Sequence, residues 1–205
     1  ILFMKFKNYI KIILIYHHPI VILNLIYLFG NQKMTETKNK CGFNGPLPKT
    51  TTDDELYDYF IKNIYYSDLK INGMNIKVFT TPFEDNRMQG FFHLTTKTQK
   101  KLGMKIRMKE SRAYFINYIV PMIKNYSKCP NCEDTKCNKI KIWTAPYKNT
   151  KRTKLLYSND LYSYIIILEK KKSDMYIISS YLIDEPKYLQ KVLKEYNITD
   201  NATNR

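Results

Sequence analysis

Tyr162-Ser163-Tyr164-Ile165-Ile166-Ile167-Leu168-Glu169, then Lys170-Lys171-Lys172-Ser173-Asp174, then Met175-Tyr176-Ile177-Ile178-Ser179-Ser180-Tyr181-Leu182-Ile183, is a pair of apolar runs around a charged break. The runs are short and rich in isoleucine and tyrosine, which favours strands, and the break between them suits a hairpin. Residues 139–145 and 153–158 repeat the pattern just upstream. Parallel neighbours would need crossovers of about a dozen residues or more. The connections here are shorter, so the four runs predict an antiparallel meander.

Helical periods flank this block. Leu56, Tyr59, Phe60, Asn63 and Ile64 form a stripe behind Thr52 and the acids Asp53, Asp54 and Glu55, which suit a helix N-terminus. Residues 110–124 carry Ala113, Ile116, Tyr118, Val120 and Ile123 on a mostly apolar helix that Pro121 should kink or shorten. A last helix is expected over 184–196, with Pro186 in its first turn. Residues 75–80 alternate like a strand, and 90–96 read as a further extended segment or a loop leading to a helix. The expected fold class is α+β, helices followed by a four-stranded antiparallel sheet with one face covered by helix.

A chain of 205 residues accommodates one ordinary domain and an appendage. The divisions expected are a basic, apolar leader at 1–33, a flexible arm at 34–52, the functional domain at 53–197 and a polar tail at 198–205. The leader places Lys5, Lys7 and Lys11 before an apolar run that His17, His18, Pro19 and Asn24 interrupt. It reads either as a membrane segment or as upstream translation before Met34. The expected location is cytoplasmic, with a membrane tether through 1–30 as the alternative.

The formal net charge of +16, from 34 basic and 18 acidic residues, attracts phosphate polyanions, although a lysine-rich composition also follows from AT-rich coding. Lys97, Lys100, Lys101, Lys105, Arg107, Lys109 and Arg112 are crowded around the single acid Glu110. Lys148, Lys151, Arg152 and Lys154 are expected around the turn between two strands. Each cluster is either a solvated face or a grip on a nucleic-acid backbone. No phosphate-binding glycine loop, dinucleotide fingerprint or His-Glu-x-x-His helix is present, which argues against ATPases, dehydrogenases and zinc proteases.

His93 is the only histidine after His18. Imidazole exchanges protons near neutral pH, and RNA cleavage without metal needs a base, an acid and donors for the charge growing on phosphate. His93, Arg112, Arg152, Ser179 and Tyr181 would supply that set, with Lys97, Lys105, Arg107, Lys151 and Lys154 binding the backbone. Alternatively, His93 is a half-buried residue bonded to backbone. Cys129, Cys132 and Cys137 have the spacing of part of a structural zinc site. Cys41 or His93 could supply the fourth ligand, and three thiols on a loop between helix and strand are also consistent with no metal at all. No cofactor is required by the chemistry.

Several segments, in order, resemble the phage and mobile-element branch of the barnase, EndoU, colicin and RelE-type nuclease superfamily. They are Gly90-Phe91-Phe92-His93-Leu94-Thr95-Thr96, the helix from Glu110-Ser111-Arg112 to Ile123, Ile140-Lys141-Ile142-Trp143 followed by Lys151-Arg152, Tyr164 to Leu168, and Tyr176 to Tyr181. The resemblance covers about residues 75–197 and implies a RelE- or barnase-like fold and metal-independent endoribonuclease activity of the toxin or phage-effector kind. By it, His93, Arg112 and Arg152 match the family's histidine, helix arginine and strand-turn basic residue. Ser179 and Ser180 stand where the family usually has Thr-Ala before tyrosine. RNA is the expected partner, with a protein antitoxin as a second. The alternative reading is a non-catalytic nucleic-acid-binding module with a zinc-pinned cysteine loop.

Overall fold

Strands β7 (Lys141–Tyr147), β8 (Thr150–Ser158), β9 (Ser163–Lys171) and β10 (Asp174–Leu182) pair in sequence order, each antiparallel to the next. They belong to a computed structural model that describes residues 42–101, 104–109, 111–129 and 139–203, with the side chains of 98–109 and 200–203 outside that description. The β7–β8 and β9–β10 hairpins close through two-residue turns in which Lys148 and Lys172 take positive φ, 51° and 56°. Left-handed turns of this length match the twist of the strands they join.

The sheet is larger than the sequence suggests. Among the described residues it has six strands in the order β1-β2-β10-β9-β8-β7, and it is mixed rather than purely antiparallel. β1 (Lys70–Ile71) and β2 (Met74–Lys77) form a small hairpin, and β2 lies parallel to β10 with Ile76 opposite Met175. β2 stops at Lys77, and among the described residues no strand pairs with the second half of β10 on that side. A register shift at Ile178 bends the strand there.

Helix covers both faces, not one. Strand residues alternate: Leu155, Tyr157, Tyr164, Ile166, Leu168, Met175 and Ile177 join the main core. Leu156 and Ile165 point the other way, into a second cluster with Trp143, Ile183 and Val192. That alternation explains why 164–168 is continuously apolar: a central strand covered on both sides has no solvent face. The main core is completed by α1 (Asp53–Phe60), continued by the π-helical segment Ile61–Tyr65, α2 (Gln89–Thr95), the 3₁₀ segment Ser111–Tyr118 and α3 (Ile119–Asn125). The second cluster lies under α4 (Pro186–Thr203).

α1 begins with a capping box. Thr52 Oγ1 accepts from the Glu55 N–H at 3.2 Å, and the Thr52 N–H donates to Glu55 Oε2 at 2.7 Å. Pro121 lies in the first turn of α3, and the expected helix over 110–124 is split into 3₁₀ and α pieces before it. Residues 90–95 are helical and only Thr96 is extended: Phe91, Phe92, Leu94 and Thr95 are all buried, so no period shows in the sequence. The basic stretch after them is a separate hairpin of β5 (Thr96–Lys101) and β6 (Met104–Lys109). Phe83–Glu84 and Arg87–Met88 make another short pair, β3 and β4.

The described residues from 42 onward belong to one compact unit. The expected leader at 1–33 lies outside the described residues, as does the arm before residue 42. From 42 to 52 the arm has no helix or strand, yet it is fastened to the core. Phe43 stacks on Tyr157 at 4.0 Å, the Leu47 N–H donates to the Tyr114 carbonyl at 2.7 Å, and Asn117 donates to the Gly45 carbonyl at 2.8 Å. Among the described residues, no helix is long and apolar enough to cross a membrane.

Candidate nucleic-acid interface

The half of β10 beyond its pairing with β2 leads into α4, and this junction faces the start of β5 and the start of the 3₁₀ segment. The hollow between them, of about 310 Å³, is lined by Lys97, Ser111 and Arg112 on one side and by Tyr181, Asp184 and Tyr188 among others on the opposite side. Three residues singled out from the sequence, Lys97, Arg112 and Tyr181, therefore meet here from segments far apart in the chain. The Arg112 guanidinium lies 5.7 Å from the centre of the Tyr181 ring. The hydroxyls of Tyr181 and Tyr188 are 2.8 Å apart.

Tyr181 is held protonated well above the usual tyrosine range. Burial is the main cause, followed by the hydrogen bond and charge interaction with Tyr188, while the cations Arg112 and Arg152 pull the other way without prevailing. At neutral pH its hydroxyl is therefore a hydrogen-bonding group and not a base. Tyr164, one strand over, is likewise pushed up by burial. Its hydroxyl donates to Ser180 Oγ at 2.8 Å, which makes Ser180 a core partner. Ser179 is half-buried beside the bulge and is not among the residues lining the hollow.

Two expected phosphate-binding cations have partners of their own. Arg152 Nε donates to Glu169 Oε2 at 3.1 Å, and its guanidinium stacks 3.5 Å from the Tyr147 ring centre. Lys154 Nζ donates to both oxygens of Glu195, at 2.7 and 2.9 Å. Trp143 Nε1 donates to the same carboxylate at 2.8 Å. Burial pushes Glu195 upward, but these bonds and the charges of Lys154 and Lys191 outweigh it and hold the carboxyl below its ordinary value. Lys154 is thus part of the joint between sheet and α4. Arg152, Lys154 and the exposed Lys151 lie on β8 itself, where the sequence placed them around a turn.

His93 is half-buried on α2, with its ring 5.6 Å from that of Phe79 and its Nδ1 screened from solvent. It is not among the residues lining the Arg112 hollow. Lys105 and Arg107 fall on β6, but their side chains lie outside the described residues. Cys129 is buried, and its Sγ accepts the Ile140 N–H at 3.1 Å; Cys132 and Cys137 lie outside the described residues. Among the described residues, no three His, Cys, Asp or Glu side chains gather as a metal site.

Sequence reasoning missed Asp184, Glu185 and Tyr188 as parts of this place. All three lie just beyond β10, and only the turn into α4 brings them opposite Arg112. No family model matches the sequence, and comparisons with curated proteins and with solved structures return no match. The fold and site thus define an α+β domain with a cation-and-tyrosine hollow where β10 runs into α4.

Proposed function

We propose that the protein is a metal-independent endoribonuclease that holds an RNA phosphodiester between Lys97, Arg112 and Tyr181. The observation that carries the reading is the seating of Arg112 over Tyr181 beside a hollow large enough for a phosphate and its sugar. In the reaction, the ribose 2′-oxygen bonds to phosphorus and the bond from phosphorus to the 5′-oxygen breaks. A base takes the 2′ proton and an acid returns one to the leaving oxygen. Negative charge builds on the non-bridging oxygens, where a guanidinium, an ammonium and a neutral phenol would donate.

Proton transfer falls to His93, or to the exposed carboxylates of Asp184 and Glu185 at the rim of the hollow. Arg152, bound to Glu169, would act on the site through its field at Tyr181 rather than by contact. Ser179 would help to position the strand edge. The toxin or phage-effector setting, a protein antitoxin and a cytoplasmic location follow from the same reading. A structural zinc at the cysteine loop would serve only to pin that loop.

A second reading is binding without cleavage. The absence of His93 from the lining of the hollow favours it, because an enzyme of this class needs its base close to the sugar. The test is incubation of the purified chain with total RNA in EDTA. The enzyme reading expects fragments ending in 2′,3′-cyclic phosphate, made slowly or not at all by His93→Ala or by Glu185→Gln. Intact RNA at high protein concentration would remove the enzyme reading, and RNA retained without cleavage would establish the second.

A further inference from the structure

Resting on the RNA reading above, we infer that a separate groove at the opposite end of β10 stacks the bases of a single-stranded segment of the same substrate. This groove, of about 910 Å³, runs between the end of the π-helical segment, the edge of β2 and the β9–β10 turn, and Tyr66, Phe79, Lys171, Lys172 and Tyr176 are among its lining residues. Tyr66 is 76% exposed, and its ring lies 4.8 Å from that of Tyr65. The Phe79 and Tyr176 rings are 5.3 Å apart, and the Lys171 ammonium sits 4.5 Å from the Phe79 ring centre.

Aromatic faces interleaved with lysines are what a single strand requires, because any base offers a face for stacking while cations follow its backbone. A duplex hides those faces. Lys77 is already engaged, 2.7 Å from Asp174, whereas Lys171 and Lys172 project from the β9–β10 turn with both side chains exposed.

The groove is also placed for the proposed chemistry. Tyr176 and Tyr181 lie on one strand, about 16 Å apart at ordinary strand rise. The Phe79 ring lies 5.3 Å from that of Tyr176 and 5.6 Å from that of His93. A strand with bases in the groove would continue past Phe79 and His93 in the direction of Arg112. This assigns single-stranded RNA as the substrate class.

The test is fluorescence anisotropy with the full chain and a single-stranded oligodeoxynucleotide, which lacks the attacking 2′-hydroxyl and stays uncut. The same strand with abasic sugars, a duplex, and poly-glutamate serve as comparisons. The base-bearing strand is expected to bind at least about tenfold tighter than the abasic one. Tyr66→Ala should remove most of that difference without altering the circular dichroism spectrum, and Phe79→Leu should act in the same direction. Equal binding of base-bearing and abasic strands, or of strand and duplex, overturns the stacking groove even where RNA is still cleaved. Binding of poly-glutamate with the same dependence on Tyr66 overturns it in favour of an acidic peptide. Loss of the parent reading is seen separately, as failure to cleave or retain any RNA.

Discussion

Arg112, at the start of the 3₁₀ segment, lies 5.7 Å from the ring centre of Tyr181 at the end of β10. The contact ties a helical segment on one side of the sheet edge to a strand end whose hydroxyl continues to Tyr188 on α4. Three elements thus converge on one hollow through two side-chain contacts.

Removing that cation should impair chemistry more than folding. Arg112→Ala is expected to slow single-turnover RNA cleavage about a hundredfold, the scale of losing one preorganised donor to a charged transition state. Tyr181→Phe keeps the ring under the guanidinium and loses only the hydroxyl, so about tenfold is expected. Wild-type cleavage rates in Arg112→Ala would sink the assignment of the hollow.

Alkaline pH should weaken the fold. Burial raises Tyr118, Tyr164 and Tyr181 above the ordinary tyrosine value, and Tyr59 also moves upward by burial. Between the unfolded and folded values, the native state keeps protons that the unfolded chain has lost, so stability falls as pH rises. It is fully present below about pH 10, the unfolded tyrosine value, and declines above it by up to about 1.4 kcal/mol per pH unit for each such group. Urea titrations at pH 8, 10 and 11 measure this directly. Constant stability across that range would show that these hydroxyls are not held protonated.

The meander was legible because its strands are central and carry their own turns. Ile165-Ile166-Ile167-Leu168 can be satisfied only between two covered faces, and the lysine-rich turn after it has no apolar residue to bury. The helix at 89–95 was hidden by burial on nearly every side, and the addition of β2 beside β10 depends on a long-range parallel pairing that local pattern does not encode. Lys97, Arg112 and Tyr181, which line one hollow, are residues that charge clustering, phosphate chemistry and the family resemblance single out in the sequence. The pairing of Lys154 with Glu195, 41 residues away on α4, is not legible in the sequence. A sequence reports that a lysine is present, but whether its charge is already matched depends on packing.

Lys154 and Glu195 should matter for stability and little for RNA. Their side chains are only 17% and 33% exposed, so Lys154→Met leaves a half-buried carboxylate with its Trp143 bond and the more distant charge of Lys191 but without its bonded cation. A loss of about 1–2 kcal/mol is expected, below the cost for a fully buried pair. Thermal melting checks it, and RNA affinity measured well below the melting temperature should stay within about twofold. A large fall in affinity with an unchanged melting temperature would mean that Lys154 contacts the backbone after all.

Gly90 fixes how α2 meets the sheet edge. Its N–H donates to the Phe79 carbonyl at 2.7 Å, and a Cβ placed there would lie 2.8 Å from Val78 Cβ and 2.9 Å from the Phe79 oxygen. Neither neighbour can give way easily: Val78 is buried in the core, and the oxygen belongs to backbone. Gly90→Ala should therefore push α2 away from 78–79 and destabilise the fold by about 1–3 kcal/mol, despite alanine's better helix propensity. Because His93 rides on the same helix against Phe79, the variant should also slow RNA cleavage at temperatures where it remains folded. Chemical denaturation and cleavage rates on the same preparation separate the two effects, and a variant as stable as the parent would show that α2 is not seated by this contact.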